Sequence, residues 1–139
     1  IYGSGTEYQD IEKYVNANIT LNKHIERTEL VNKTSDIPVA LISLDERITM
    51  EGFPGKTFDY LSMNKILLSF SNSESAVAQF IKKYSLGVNI EPDSEQSFIE
   101  AFEKLSSTQF LSDTLLNIGK VNKNQINKSE IVKQYLTLI

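Results

Sequence analysis

Short apolar runs alternate with amphipathic stretches along this chain. The longest apolar run, IPVALISL at 37–44, predicts a buried parallel strand, in which Pro38 is tolerated because it lies at the start. Two further apolar runs, at 65–70 and 88–90, predict a second and a third buried strand. With the strand-like segments at 1–2 and 18–21, the pattern predicts about five strands alternating with helices.

The helices are predicted from amphipathic spacing and from their end signals. Thr6 with Gln9 and Ser71 with Glu74 are capping boxes that predict helix starts. Asn64 and Gly87 suit the left-handed position at a helix end. Further apolar stripes at helical spacing predict packing faces: Phe98, Ala101, Phe102 and Leu105, then Ile131, Val132, Tyr135, Leu136 and Ile139. The predicted fold class is α/β, a Rossmann-like three-layer parallel sheet with flanking helices.

Length and charge narrow the class of protein. The 139 residues suit a single domain, and no repeat, low-complexity tract or linker divides them, so 1–139 is predicted to be one domain. Fourteen basic against eighteen acidic residues give a net charge of −4. A general nucleic-acid binder or anionic-membrane binder needs a basic face, so the overall charge argues against both, and no nucleic-acid partner is expected.

The residue types available restrict the chemistry. The chain has no Cys and one His, which removes thiol nucleophiles and most zinc sites, so no metal is expected. Any catalysis would therefore depend on carboxylates, backbone amides and groups of the bound substrate. Because the first residue is Ile1 and 1–3 already resembles the end of a strand, we expect the chain to be part of a longer protein.

Ligands of open parallel sheets bind beyond the carboxyl ends of the strands, where three loops of this chain are predicted to lie. They are Gly3-Ser4-Gly5, 21–25 and 45–56. The third is long and closes with Gly52-Phe53-Pro54-Gly55 directly before a helix, where backbone N–H groups can meet an anion.

Lys56 and two acids sharpen this interpretation. A cation in the first helical turn costs about 0.3–1 kcal/mol, which a bound phosphate would offset. Glu51 and Asp59 flank the same turn and could accept hydrogen bonds from a hydroxyl-rich ligand. The alternatives stay open: Lys56 could point into solvent, and Asp59 could simply complement the helix dipole.

In this region the chain resembles the large retaining group four of the GT-B glycosyltransferases, which have two Rossmann-like domains. The acid-Gly-Phe motif, the glycine turn and the second acid eight residues on are Glu51, Gly52, Phe53, Pro54-Gly55 and Asp59. The portion P-G-K-T-F-D-Y looks like the surface-polysaccharide branch of the family. Additional similar segments carry the resemblance from Ile1 to about Leu105: 1–5, 60–69, 86–88 and 91–93.

The resemblance implies the C-terminal, donor-binding half of such an enzyme, which binds a nucleotide-diphosphate sugar as substrate and needs no cofactor. It places Glu51 in the catalytic position at the donor-sugar hydroxyls and Asp59 at the ribose. The diphosphate would lie on the backbone of Gly52, Phe53, Pro54, Gly55 and Lys56, near Gly3 and Gly5. Lys23, His24 and Ile25 would lie near the base, with no chemical role for His24.

The resemblance also implies a cellular setting. The protein would be cytoplasmic or at the inner face of the membrane, with any peripheral membrane contact made through an N-terminal acceptor domain that this chain lacks. We expect no useful transferase activity from the chain alone, because the acceptor domain and the family's basic residues at the start of the donor domain are missing.

Departures and alternatives accompany this hypothesis. Asp59 is one methylene shorter than the usual glutamate, and Asn64 replaces a glycine of the family. A non-catalytic nucleotide-sugar sensor would share every motif. A phospho-receiver domain could use Asp45 as acceptor, but it would need an acidic cluster where this chain has Gly3-Ser4-Gly5.

Overall fold

The computed structural model describes residues 1–45, 47 and 53–124, except for the side chains of 123 and 124. The chain divides into two compact units, the first being Ile1–Asp36 and the second beginning at Ile37. The first unit contains α1 (Tyr8–Glu12) and α2 (Arg27–Lys33). The second contains β1 (Val39–Ser43), α3 (Gly55–Ser62), β2 (Ile66–Phe70), α4 (Ala76–Tyr84), β3 (Gly87–Ile90), α5 (Glu95–Leu105) and α6 (Thr108–Asn124).

The second unit is an α/β structure with a three-stranded parallel sheet in the order β1-β2-β3. Val39 lies opposite Ile66 in the first strand pair, and Leu67 lies opposite Gly87 in the second. Helices flank the sheet, as parallel strands require, because each crossover must return the chain to the same edge. The architecture confirms the α/β prediction and is compatible with a Rossmann-like fold.

Two apolar clusters hold the second unit together. The larger joins the sheet to α3, α4 and α6; its fully buried members include Leu61, Leu67, Ile81 and Ile118. The smaller joins Val88 and Ile90 of β3 to Ala101 of α5. Leu67, Val88 and Ile90 lie in the predicted apolar runs and Ala101 lies in a predicted stripe, so the hydrophobic pattern locates the sheet part of the core. Ile118 lies in no predicted run or stripe.

The predicted strands at 1–2 and 18–21 are wrong as members of a sheet. In their place the structure has isolated bridges between Tyr2 and Asn22 and between Asn16 and Ile19. The cause is local: the Asn16 side chain accepts the N–H groups of Asn18 and Ile19 at 2.8 and 3.1 Å, which closes a turn. The second segment therefore cannot extend into a ladder.

Both capping boxes are wrong as well. The Thr6 hydroxyl hydrogen-bonds Glu7 at 3.4 Å and caps no helix; α1 has Glu7 at its N-cap, without a side-chain cap. The cap of α4 is Ser75, whose hydroxyl accepts the N–H of Ala78 at 3.2 Å. Ser71 is unavailable for that role because its N–H continues the sheet to the Ile90 carbonyl.

Of the two residues predicted to end helices in a left-handed conformation, one is confirmed and one is wrong. Asn64 has φ 54°, which confirms its predicted left-handed position after α3. Gly87 does not end α4, because Ser85 with φ 53° does so. Gly87 opens β3 with φ 154°, where a Cβ would lie 1.8 Å from the Leu67 carbonyl oxygen, so the glycine serves close strand packing.

The C-terminal predictions are tested in part. In the α5 stripe Ala101 is buried, but Phe98 and Phe102 remain 50% and 45% exposed, so that packing face is half wrong. A polar break was expected near 122–127, but its first residues, up to Asn124, are still helical and belong to α6. The stripe from Ile131 to Ile139 lies outside the described residues.

Candidate functional site

An open depression lies where all three strands of the sheet end. Its volume is about 500 Å³, and its lining comprises Leu44, Asp45, Arg47, Phe70, Pro92 and Asp93. Leu44 follows β1, Phe70 ends β2 and Pro92 follows β3, so the depression occupies the edge at which open parallel sheets bind ligands. Asp93 has φ 61°, a backbone conformation that non-glycine residues rarely adopt outside turns and functional sites.

Asp45 and Arg47 form an ion pair on the rim of this depression. The Arg47 Nε and Nη2 atoms each donate to the Asp45 carboxylate at 2.7 Å, and the Arg47 backbone N–H donates at 3.0 Å. These hydrogen bonds hold the pKa of Asp45 well below its usual range, so the carboxylate is ionised. An aspartate held in this way is a poorer phosphate acceptor than a free one, because these bonds occupy three of its roughly four lone-pair sites.

Helix α3 begins at the same edge of the sheet without a polar cap. Its N-cap residue is Pro54, which has no side-chain acceptor for the first N–H groups of the helix. By contrast α4 and α5 are capped by the hydroxyls of Ser75 and Ser94. The first turn of α3 contains no acid and carries exposed Lys56, so both the helix end and its side chain present positive charge.

Thr57 adds a buried polar group to that turn. Its side chain is fully buried, and its hydroxyl has no hydrogen-bond partner among the described residues. The Thr57 backbone N–H donates to the Pro54 carbonyl at 2.9 Å. A buried hydroxyl left without a partner would cost about 1–3 kcal/mol, so Thr57 is a candidate hydrogen-bond donor to a polar ligand at this helix start.

Asp59 lies one turn into α3, partly buried. The Ser62 hydroxyl donates to the Asp59 backbone carbonyl at 2.7 Å. Burial, and secondarily the charge of Asp59, raises the pKa of the neighbouring Tyr60. Helical spacing brings Asp59 to the flank of the turn that contains Gly55 and Lys56, as the sequence predicted.

The first unit has a depression of its own, with a volume of about 400 Å³. Its lining comprises Ser4, Gly5, Tyr8, Lys23 and His24. The two segments meet because the Gly3 N–H donates to the Asn22 carbonyl at 3.0 Å and the Asn22 N–H donates to the Ile1 carbonyl at 2.8 Å. The structure thus brings together the predicted glycine turn and the predicted base-proximal segment.

The predicted site residues are distributed over both units. Gly5, Lys23 and His24 line the first depression, with Gly3 and Ile25 beside them in sequence. Phe53, Pro54, Gly55, Lys56 and Asp59 form the start of α3 and the residues around it. Glu51 and Gly52 lie outside the described residues, so the predicted catalytic position of Glu51 stays a prediction.

The sequence did not predict a buried polar network that lies between the ends of β2 and β3 and the start of α4. Asn89 Oδ1 accepts the hydroxyls of Ser69 and Ser71, the latter at 2.8 Å, and Asn89 Nδ2 donates to the Ser71 carbonyl at 2.9 Å. The Ser71 and Ser75 hydroxyls are 3.0 Å apart. The network joins β2, β3 and the start of α4. The feature of the sequence that could have indicated this network is the set of alternate serines from 69 to 75, which begins at the end of a predicted buried strand.

Sequence reasoning also passed over two residues of the main depression. Arg47 lies in the loop at 45–56 and Asp93 in the segment 91–93, and neither is among the predicted site residues. Ser94 is the actual cap of α5, accepting the Ser97 N–H at 3.1 Å. The proline before Asp93 was the available signal, since Pro-Asp favours a turn.

No family model, curated protein or solved structure matches this chain. Within the described ranges, no three or more His, Asp or Glu side chains form a group that could hold a metal ion. Among the same residues, no helix is both long enough and apolar enough to cross a bilayer. The site therefore has to be interpreted from its own geometry.

Proposed function

We propose that this chain is the nucleotide-diphosphate-sugar-binding domain of a glycosyltransferase that transfers a sugar to a glycan or a lipid-linked acceptor with retention of configuration. The observation that carries the proposal is the start of α3, which has no side-chain cap, a lysine in its first turn and a buried hydroxyl without a partner among the described residues. It lies at the carboxyl edge of a parallel sheet, where diphosphates are bound in α/β folds.

The chemistry required of such a site is stabilisation of the leaving group. When the glycosidic bond of the donor breaks, negative charge develops on the departing diphosphate. The backbone N–H groups at the start of α3 and the Lys56 ammonium meet that charge, and the Thr57 hydroxyl supplies a further donor. Preorganised donors of this kind stabilise the transition state more than the ground state, because the charge is larger there.

The remaining roles follow from the sequence hypothesis. Glu51 contacts the hydroxyls of the donor sugar and Asp59 contacts the ribose, as the family resemblance implies. The resemblance also implies that Lys23, His24 and Ile25 lie near the base. Acceptor binding belongs to a domain that this chain does not contain.

Calorimetric titration with UDP-, GDP- and ADP-sugars and with the free diphosphates tests the proposal. We expect weak, diphosphate-dependent binding that falls about tenfold in Lys56→Ala, because a charge-assisted hydrogen bond contributes about 1.5–3 kcal/mol. Lys82→Ala, on α4, is the matched control and should leave the affinity unchanged. Glu51→Ala should lower the affinity for the sugar nucleotide more than the affinity for the diphosphate.

The result that would overturn the proposal is the absence of nucleotide binding by a chain shown to be folded. Labelling of Asp45 by acetyl phosphate would instead indicate a phospho-receiver. Sugar transfer by the isolated chain would contradict the expectation that the acceptor half is needed.

A further inference from the structure

Four aromatic rings form a continuous cluster on the surface of α3 and α4, which we call the aromatic surface. Its members are Phe53, Phe58, Phe80 and Tyr84. The Phe53 ring lies 5.5 Å from Phe58 and 5.0 Å from Phe80, and the Phe80 ring lies 5.0 Å from Tyr84. Phe53 and Phe58 remain 37% and 42% exposed, so the rings contact one another and still present apolar area to solvent.

Lysines accompany these rings. A shallow depression beside the aromatic surface is lined by Phe53, Phe80, Tyr84, Lys82 and Lys83, together with Ala76 and Gln79. The Lys83 ammonium lies 5.1 Å from the centre of the Tyr84 ring. No acid is among these lining residues, although the whole chain has a net charge of −4.

The exposed aromatic pair on α5 provides a contrast within the same molecule. Phe98 and Phe102 lie 4.6 Å apart and are more exposed than the rings of the aromatic surface. The depression that contains this pair has Glu103 and no lysine among its lining residues. Apolar exposure therefore occurs at both places, but only the α3–α4 surface combines it with positive charge.

We propose that the aromatic surface, with Lys82 and Lys83, docks this domain onto an anionic lipid bilayer. Aromatic side chains favour the boundary between headgroups and acyl chains, and lysines beside them attract anionic headgroups. Charge complementarity favours an anionic bilayer over a neutral apolar partner, because a neutral partner would gain nothing from the lysines. The contact is made by this domain itself, independently of any acceptor domain, and the aromatic surface shares Phe53 with the proposed nucleotide site.

Sedimentation of the 139-residue chain with vesicles of phosphatidylcholine containing about one-third phosphatidylglycerol tests the proposal. We expect binding that is absent with pure phosphatidylcholine and that weakens as salt is added. Lys82→Gln/Lys83→Gln should lower the partition coefficient about 30-fold, since each lysine near such a surface contributes about 1 kcal/mol. Phe58→Ser should lower it about fivefold through lost apolar burial.

Phe98→Ser on α5 is the matched control and should change binding less than about twofold, because it removes the same ring from a surface whose depression has Glu103 and no lysine among its lining residues. Circular dichroism and thermal unfolding of each variant keep a folding defect separate from a docking defect; the lysine variant changes only exposed side chains. Equal binding to neutral and anionic vesicles would overturn the proposal, as would equal effects of Phe58→Ser and Phe98→Ser. Lysine-dependent retention on immobilised polyglutamate without vesicle binding would assign the surface to an acidic protein and would also overturn it.

Discussion

The Asn122 side-chain amide donates a hydrogen bond of 2.7 Å to the carbonyl of Leu61, 61 positions earlier in the chain. The same Nδ2 atom lies 3.2 Å from Asn64 Oδ1, so one side chain of α6 satisfies groups in the last turn of α3 and just after it. Carbonyls at a helix end lack intrahelical donors, which makes this bond a tertiary cap of α3.

Removal of that cap should destabilise the fold. Asn122→Ala is expected to lower the free energy of unfolding by about 1 kcal/mol, because the Leu61 carbonyl and Asn64 Oδ1 lose a donor. The loss is limited, because the Leu61 carbonyl still accepts the Asn64 N–H and the variant also removes the buried Asn122 Oδ1, which has no partner among the described residues. Urea denaturation monitored by circular dichroism measures the change. Asn122→Asp, which fills the same volume but cannot donate when ionised, should be at least as damaging. Wild-type stability in both variants would contradict the tertiary cap.

Gly87 should tolerate no side chain. A Cβ at this position would lie 1.8 Å from the Leu67 carbonyl oxygen, and φ is 154°, so Gly87→Ala would force β2 and β3 apart. We expect a loss of about 3 kcal/mol or more in the free energy of unfolding.

Gly119 provides the control for that substitution. It lies inside α6 with nothing within 4 Å of an added Cβ. Gly119→Ala should therefore raise stability by up to about 1 kcal/mol through helix propensity. If both alanine variants changed stability in the same direction, the close approach at Gly87 would not be the cause.

Thr57 should show opposite effects on stability and on binding. Thr57→Val removes a buried hydroxyl that has no partner among the described residues, so the unliganded chain should be more stable by about 1 kcal/mol. If the hydroxyl donates to a diphosphate, as proposed, the same variant should bind the nucleotide more weakly. Thermal unfolding and calorimetry measure the two effects, and Thr57→Ser should retain binding. A gain in stability with unchanged binding would remove Thr57 from the proposed site.

The Asp45–Arg47 pair predicts a titration. Since its hydrogen bonds to Arg47 depress the pKa of Asp45 in the folded state, the pair stabilises the fold above the ordinary aspartate pKa and loses that contribution as the pH falls. Arg47→Gln should return the Asp45 pKa towards its ordinary value, as followed by NMR of the side-chain carboxyl. The pair is exposed to solvent, so the variant should leave stability at neutral pH nearly unchanged. An unmoved carboxyl titration would show that Arg47 is not the cause.

The hydrophobic pattern predicted the sheet unit well, because burial follows from local periodicity. The runs at 37–44, 65–70 and 88–90 contain the three strands, and Asn64 takes the predicted left-handed conformation. The segment at 18–21 was misjudged because the Asn16 side chain competes for its backbone.

The remaining predictions failed because tertiary contacts override the local sequence pattern. Ser71 has the sequence context of a cap, but strand pairing with Ile90 and the bond to Asn89 take its polar groups. The role of Gly87 depends on how near β2 comes, which no local pattern encodes. Of the candidate site, the uncapped α3 start was predictable from Pro54-Gly55-Lys56, whereas Arg47 and Asp93 join it only through the meeting of separate strand ends.

The strands lie side by side in the order in which they are synthesised. Each new strand therefore finds its partner in the strand that precedes it in the sequence, with α3 described between β1 and β2 and α4 between β2 and β3. All three strands follow Asp36, so the sheet's hydrogen bonds are complete without the first unit. The sheet can thus assemble vectorially as the chain leaves the ribosome, β1 with β2 and then β3. Of the described helices, α6 is synthesised last, and it secures α3 through Asn122.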